Sequence, residues 1–412
     1  MSITRLTKSA FSLVAVAALL GVMSRLPFRV RGDVPRSPQT ISPPANMLFP
    51  LTPPLSPEAR LSASKAVAKY SAAKPTRVSD HFHRWRFDSL TNAYTSNVEL
   101  QLELGQVQNK GRFLQTFVGS PPLVFRSPYG WEVRQRTPES ARERWEYEHH
   151  VDQFLATCAE IGIPMNFQLE TDFGRVSIGE LLDASRRSFE PGQELCWTLV
   201  AYCTYLPEES QWTNRFGDIC SYESIVTKIL ALPLSEGSCG GTHKQFALAY
   251  FLAKRLVNGD LRRQCEDYLL RSANALEHSQ LSSGAWTPAW AMSVDGQTSG
   301  PDPSSIRGVD LVRITGHQLE WICVAPPASR PSTECVSRAI RFLADALNRA
   351  DITSIQKDYC AYSHAASVLQ RALLWNVPSR SDRGAEPILK SARKRTNRAP
   401  TNEGLRAVVQ SP

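Results

Sequence analysis

From about Arg142 onward, segments that are apolar on every side take turns with segments that are apolar on one side only. "ELCWTLVAYCTYL" (194–206), "KQFALAYFLAKRL" (244–256), "LVRITGHQLEWICVA" (311–325) and "CAYSHAASVLQRALLW" (360–375) are of the first kind. "SYESIVTKILAL", "DLRRQCEDYLLRSANALEH" and "TECVSRAIRFLADALN" are of the second. They carry stripes such as Tyr222, Ile225, Val226, Ile229 and Leu230, or Val336, Ala339, Ile340, Leu343 and Leu347. A helix that is hydrophobic all round must be covered all round, whereas a one-faced helix lies on a core. An up-and-down bundle makes every helix one-faced. The alternation therefore predicts a mainly α body built of inner and outer helices in concentric layers.

The flanks are of different composition. "SAFSLVAVAALLGVM" follows Arg5 and Lys8, and its apolar stretch runs fourteen residues, from Ala10 to Met23. That is the length of a signal-peptide core and short for a membrane span of about 20 residues. Arg25, Arg29 and Arg31 resist export, so residues 1–33 read as a signal peptide or a retained signal anchor. Residues 34–60 form a Pro-rich linker, with eight prolines between 34 and 57, which favours an extended spacer. Residues 61–140 read as an N-terminal portion with short strands. Val98, Leu100, Leu102 and Leu104 alternate as in a strand, and "HFHRWRF" (81–87), whose cations and aromatics also suit lipid headgroups or nucleic acid, reads as a strap along the domain edge. The helical domain spans 141–377, and 378–412 is a basic tail expected to be disordered. Residues 1–36 and residues 378–412 each carry a net +5 of the chain's +8, which leaves the body between them slightly acidic. A nucleic-acid-binding body needs a basic face of its own, so no nucleic-acid partner is expected. Nine cysteines without CxxC pairs argue against a disulfide framework. Cys158, Cys196, Cys203 and Cys323 read as small buried hydrophobes.

Gln280, Gly284 and Trp286 in "QLSSGAW" resemble the Gln-(x)n-Gly-x-Trp repeat of squalene-type cyclases. With the alternation of helices, this makes the chain similar to the α/α-toroid of terpenoid cyclases and protein prenyltransferases. The resemblance covers about 142–376 and gives about five helix pairs, where a full toroid has six or more. Either the ring is incomplete or the earlier region supplies the missing helices. "CGGTH", "TGHQLEW" and "YCAYSH" also resemble a family of membrane-anchored planctomycete proteins, which brings no mechanism with it. The Asp-x-Asp-Asp acid of squalene-type cyclases and the Cys-Gly-Glu-Gln of thioester toroids do not occur in the sequence.

The chemistry-bearing residues cluster around two Thr-x-x-Gln sequences, Thr242–Gln245 and Thr315–Gln318, which read as capping boxes at helix starts. Each adjoins a histidine, so Cys239, His243 and His317 are expected at one mouth of the ring, with Cys360 and His364 on the last inner helix nearby. Zinc takes thiolate and imidazole ligands, and a catalytic site uses three with one position open. Cys239, His243 and His317 are the candidate zinc ligands, with Cys360 or His364 as alternates. The bland reading makes the glycines close-packing devices and the histidines hydrogen-bonded rim residues; helix starts also favour an anion. Glu194 and Glu320, beside Trp197 and Trp321, are candidate acid/base residues with the tryptophans as sugar platforms. The alternative is that each carboxylate ties a helix end or an arginine such as Arg313. The long loop 287–308 reads as a lid, with Trp286, Trp290 and Asp295, together with His364, as ligand contacts. Two functions follow as expectations for a membrane-anchored or exported chain. One is a cell-envelope binding or scaffold module with a small-molecule, lipid or glycan ligand. The other is a metal-dependent or carboxylate-based cavity enzyme acting on an isoprenoid, glycan or peptide.

Overall fold

The computed structural model describes residues 55–90 and 121–374, apart from 129, 136–146, 172, 207–210, 256–258, 293 and 297–304. The expected signal segment, most of the linker, the strand at 98–104 and the basic tail lie outside the described residues. No helix among the described residues is long and apolar enough to cross a membrane.

The protein is mainly helical, with twelve α-helices and three small antiparallel hairpins among the described residues. In chain order these are α1 (Pro57–Ala72), α2 (Val78–Leu90), β1 (Val124–Ser127), β2 (Gly130–Val133), α3 (Gln153–Glu160), β3 (Gln168–Thr171), β4 (Gly174–Ser177), α4 (Ile178–Ser188), α5 (Cys196–Tyr205), β5 (Gln211–Thr213) and β6 (Ile219–Ser221). There follow α6 (Tyr222–Leu230), α7 (Thr242–Lys254), α8 (Asp260–Ser279), α9 (Gly308–Val324), α10 (Thr333–Arg349), α11 (Ile352–Lys357) and α12 (Tyr359–Leu374).

Six helices are buried along most of their length: α2, α3, α5, α7, α9 and α12. Each packs against two of the others in a closed order, α2 on α3, α3 on α5, α5 on α7, α7 on α9, α9 on α12, and α12 back on α2. The one-faced helices lie outside this cycle. α4 packs on α3, α6 on α5, α8 on α7, α10 on α9 and α12, and α1 on α10 and α12. The burial pattern of α10 is the expected stripe, Val336, Ala339, Ile340, Leu343 and Leu347, widened by Cys335 and Ala344. Each Val, Ile or Leu of the stripe contributes about 1.5–3 kcal/mol on burial, so the stripe outweighs the weak helix preference of any one residue. Two hairpins bridge a buried helix to a one-faced one, β3–β4 before α4 and β5–β6 before α6. Both end in capping boxes, Ser177 with Glu180 and Ser221 with Ser224.

The earlier region departs from its expectation. Residues 57–60, assigned to the linker, already form the first turn of α1. Ser56 caps it through its hydroxyl, and Pro57 stands at the first helical position with Glu58 behind it, a helix start in chemical terms. Residues 81–87 are no edge strap, because they lie in α2, where His81, Phe82, His83, Trp85, Arg86 and Phe87 are all buried. Helix α2 closes the cycle of buried helices, so the earlier region supplies a member that the pattern after Arg142 lacked. Lys69 of α1 holds the end of α10 by donating to the carbonyls of Asn348 (2.5 Å) and Ala350 (2.6 Å).

Gln280, Gly284 and Trp286 form a joint between one-faced helices. The Gln280 amide donates to the carbonyls of Gly284 (2.9 Å) and of Cys335 on α10 (2.8 Å), and the Trp286 indole donates to Leu276 of α8 (2.9 Å). Gly284 has φ +89°, and a Cβ there would lie 2.5 Å from the Arg338 carbonyl oxygen. Left-handed backbone costs an L-residue about 1–2 kcal/mol, and the contact adds to that. Gly284→Ala should therefore lose at least about 1 kcal/mol in urea unfolding, while Gly192→Ala, where a Cβ meets nothing, stays within about 0.5 kcal/mol. Equal stability of the two variants contradicts this account of the joint.

Candidate functional site

Five buried or half-buried histidines from different segments form one file. His150 meets His243 at 4.5 Å between ring centroids, His243 meets His317 at 5.0 Å, His317 meets His364 at 3.6 Å, and His364 meets His83 at 4.9 Å. His150 precedes α3, His243 opens α7, His317 lies in α9, His364 in α12 and His83 in α2. Four members of the file thus stand on members of the closed cycle, and the fifth stands just ahead of α3.

Two features of the chain allow the rings to meet. Cys239, Gly240 and Gly241 have φ of 52°, 66° and 81°, a run of left-handed residues that turns the chain sharply into α7. A Cβ at Gly241 would lie 2.1 Å from the Leu234 carbonyl oxygen. Cys239 pays the left-handed cost without being glycine, a kind of strain that collects at functional sites. At the other joint, a Cβ on Gly316 would lie 2.8 Å from the Cβ of His364. The missing side chain lets α9 approach α12 closely enough for His317 and His364 to stack.

A glutamate sits beside each half of the file. Glu194 bonds the Nδ1 atoms of His150 (2.7 Å) and His243 (3.0 Å) and accepts from the Ser238 hydroxyl (3.2 Å). Glu320 bonds Nδ1 of His364 (2.9 Å), faces Nδ1 of His317 (3.6 Å), and lies 3.5 Å from the Arg86 guanidinium. Arg86 in turn pairs with Glu160 at 2.9 Å and lies over the rings of Trp197 and Phe246. Glu194 keeps 26% of its side chain exposed and His150 15%, against 3% for Glu320 and 1% for His364. Cys239 and Cys360 are half-buried. Solvent therefore reaches the file at the Glu194 end.

The electrostatics follow from this arrangement. Burial raises the Glu320 carboxyl, but Arg86, His364 and His317 outweigh it and hold the group well below the usual carboxylate range. Burial likewise opposes ionisation of Glu194, and the hydrogen bonds from His150 and His243 overcome it. Burial and the neighbouring imidazole lower His243 and His317 to about 3, and burial lowers His83 and His364 as well. These four rings are neutral at pH 7. With Nδ1–H directed at a carboxylate, Nε2 is left with a lone pair. Nε2 of His364 lies 3.6 Å from Cys360 Sγ. Nε2 of His317 and Nδ1 of His83 are buried without a hydrogen-bond partner among the described residues. Burial pushes the Cys239 thiol up to about 11 and raises that of Cys360 further.

Among the described residues, four overlapping sets bring three potential metal-ligating atoms within 4.8 Å of one another: Cys239/His243/His317, His83/Cys360/His364, His150/Glu194/His243 and His317/Glu320/His364. The structure thus brings together Cys239, His243, His317, His364, Glu194 and Glu320 of the sequence-derived candidates. It adds His83, His150 and Arg86, and no local signal marks these three, since their partners lie on remote segments.

Several expected roles change. Thr242 is the first residue of α7, its cap position is taken by Gly241, and its hydroxyl bonds the Cys239 carbonyl. Gln245 is buried against Ser272. Thr315 and Gln318 lie inside α9, whose start is at Gly308, so His317 is no helix-end residue. The Thr315 hydroxyl accepts the Trp286 amide, and Gln318 accepts the Trp321 indole at 2.6 Å. Glu194 precedes α5 and is not on it. Arg313 pairs with Asp310, and Arg86 is the arginine at Glu320. Trp321 is fully buried, and Trp197 packs edge-on against His243, so neither offers a sugar platform. Trp286 is a core residue. Trp290 ties its loop to the Gly240 carbonyl (2.8 Å), and Asp295 accepts from the amides of Leu234 and Ser235. Through these bonds the three serve as anchors of the loop.

The chain matches no protein-family model, no curated protein and no solved structure.

Neutral buried histidines have a consequence for pH. Their folded pKa lies below the unfolded value, so the unfolded chain binds more protons once pH falls below about 6.5. Stability is intact above that pH and is lost progressively toward the folded value of about 3. By pH 5, His243 and His317 should each cost about 2 kcal/mol. In the presence of chelator, the melting temperature should fall between pH 7.5 and 5, and His317→Gln should flatten the fall. A profile that stays level through this range in the original chain contradicts neutral burial.

Proposed function

We propose that the closed cycle of six helices is an α/α-toroid and that the file inside it is a metal centre. A zinc-class divalent ion is held by Cys239, His243 and His317, and the protein is a metal-dependent cavity enzyme. The observation that carries the reading is the convergence of one thiol and two neutral imidazoles, with Nε2 of His317 buried and without a hydrogen-bond partner among the described residues. Leaving such a lone pair dry costs about 1–3 kcal/mol unless something binds it. Three protein ligands and one open position is the composition of a catalytic zinc site, whereas structural sites close with four.

Glu194 and Glu320 fit this reading as outer partners. A ligating histidine generally donates its other ring N–H to a carboxylate, which fixes its tautomer and orientation. Glu194 does this for His243, and Glu320 faces Nδ1 of His317. The solvent-reached side, with Glu194, His150 and Cys239, is where a substrate would approach the open position. An ion there would polarise a carbonyl or activate a water or thiol. The substrate classes that fit an interior lined by imidazole and aromatic rings are those expected from the sequence: isoprenoid, glycan or peptide. If the N-terminal segment acts as an export signal or anchor, that substrate is met at the cell envelope. A scaffold role has less support, because scaffolding needs no internal file of unprotonated imidazoles.

Elemental analysis of the purified full-length chain should find zinc in stoichiometric amount. Cys239→Ser and His317→Gln should each weaken its retention at least tenfold while helical content is unchanged. A chain that binds no transition metal, with melting temperature indifferent to chelator and to both substitutions, removes the proposal.

A further inference from the structure

The geometry points to a second ion in the same file, held by His83, Cys360 and His364, so that the centre is dinuclear. The inference deepens the metal reading and adds a ligand set that shares no residue with the first. Cys360 and His364 stand four apart on α12 and so on one face of it. Two donors on one tetrahedral ion, with Zn–N of about 2.05 Å and Zn–S of about 2.3 Å, lie about 3.6 Å apart. Cys360 Sγ and His364 Nε2 are 3.6 Å apart. Helix α2 brings the third donor, since His83 meets the His364 ring edge-on at 4.9 Å and its Nδ1 is buried without a partner among the described residues.

The second triad repeats the logic of the first. Each has one thiol and two imidazoles, each contains a histidine whose Nδ1 faces a glutamate, and each thiol stands at the half-buried margin. The two triads abut where His317 stacks on His364 at 3.6 Å. Glu320 serves both, because it faces Nδ1 of His317 in the first triad and bonds Nδ1 of His364 in the second. It is a positioning residue, and its loss should be felt at both ions together. The competing arrangement, in which the ions take carboxylate oxygens and Nδ1 atoms from His150/Glu194/His243 and His317/Glu320/His364, uses no sulfur. It also leaves Nε2 of His317 unused. Thiolate is the softer ligand and suits zinc-class ions better.

Zinc titration of the metal-stripped full-length chain, followed by elemental analysis, should give two equivalents. His83→Gln or Cys360→Ser should leave one, Cys239→Ser should leave one, and Cys239→Ser/Cys360→Ser should leave none. With cobalt in place of zinc, the thiolate-to-cobalt charge-transfer band should halve in each single cysteine variant. Glu320→Gln should weaken both equivalents by about 10–100-fold. One equivalent in the original chain overturns the second site; if Cys239→Ser then abolishes it and His83→Gln does not, the first site stands. Two equivalents without a thiolate band also overturn this ligand set. Absence of any binding overturns both readings.

Discussion

A buried carboxylate among largely apolar helices is the constraint on which the arrangement turns. Glu320 is ionised and almost wholly dry. An isolated charge in that position costs several kcal/mol, and removing one partner of a buried pair typically costs about 3–5 kcal/mol. Its compensation comes from three directions: Arg86 on α2, His364 on α12 and His317 one turn earlier on α9. Arg86 extends the compensation to Glu160 at the end of α3. Helices α2, α3, α9 and α12 are thus tied through one polar core, and the stacked imidazoles are part of what keeps the charge tolerable.

Backbone chemistry sets the distances that this core needs. Without Gly316, α9 and α12 could not bring His317 and His364 into contact, and without the left-handed turn at Cys239–Gly241 the chain could not enter α7 with His243 facing inward. The same glycines therefore answer a packing need and a chemical one. Trp290 braces the turn from the loop before α9, which fixes the thiol of Cys239 relative to the rings.

The alternation of all-round and one-faced helices was legible in the sequence because burial leaves a compositional trace on each helix separately. It placed α5 to α10 and α12, together with their buried stripes. The proximity of Cys239, His243, His317 and His364 was anticipated too, though for a partly mistaken reason. The two Thr-x-x-Gln sequences are not caps, and His317 reaches the file from the middle of α9. What the sequence did not disclose was α2. Its cations and histidines look like an edge strap until Glu160 and Glu320, from segments far along the chain, pair with Arg86. Long-range ion pairing leaves no periodic mark, so His83, Arg86 and His150 went unread. Trp286 and Asp295, at the edge of and within a long loop, suggest ligand contacts by position alone, while their hydrogen bonds hold that loop to α8 and to residues 234–235.

The central claim is that neutral imidazoles and thiols converge because a metal ion is held between them. X-ray absorption at the zinc edge of the purified full-length chain reads the ligand atoms directly. The account predicts a tetrahedral first shell with one sulfur at about 2.3 Å and two imidazole nitrogens at about 2.0–2.1 Å, completed by a light atom. A shell of oxygen and nitrogen alone, with no sulfur contribution, contradicts it.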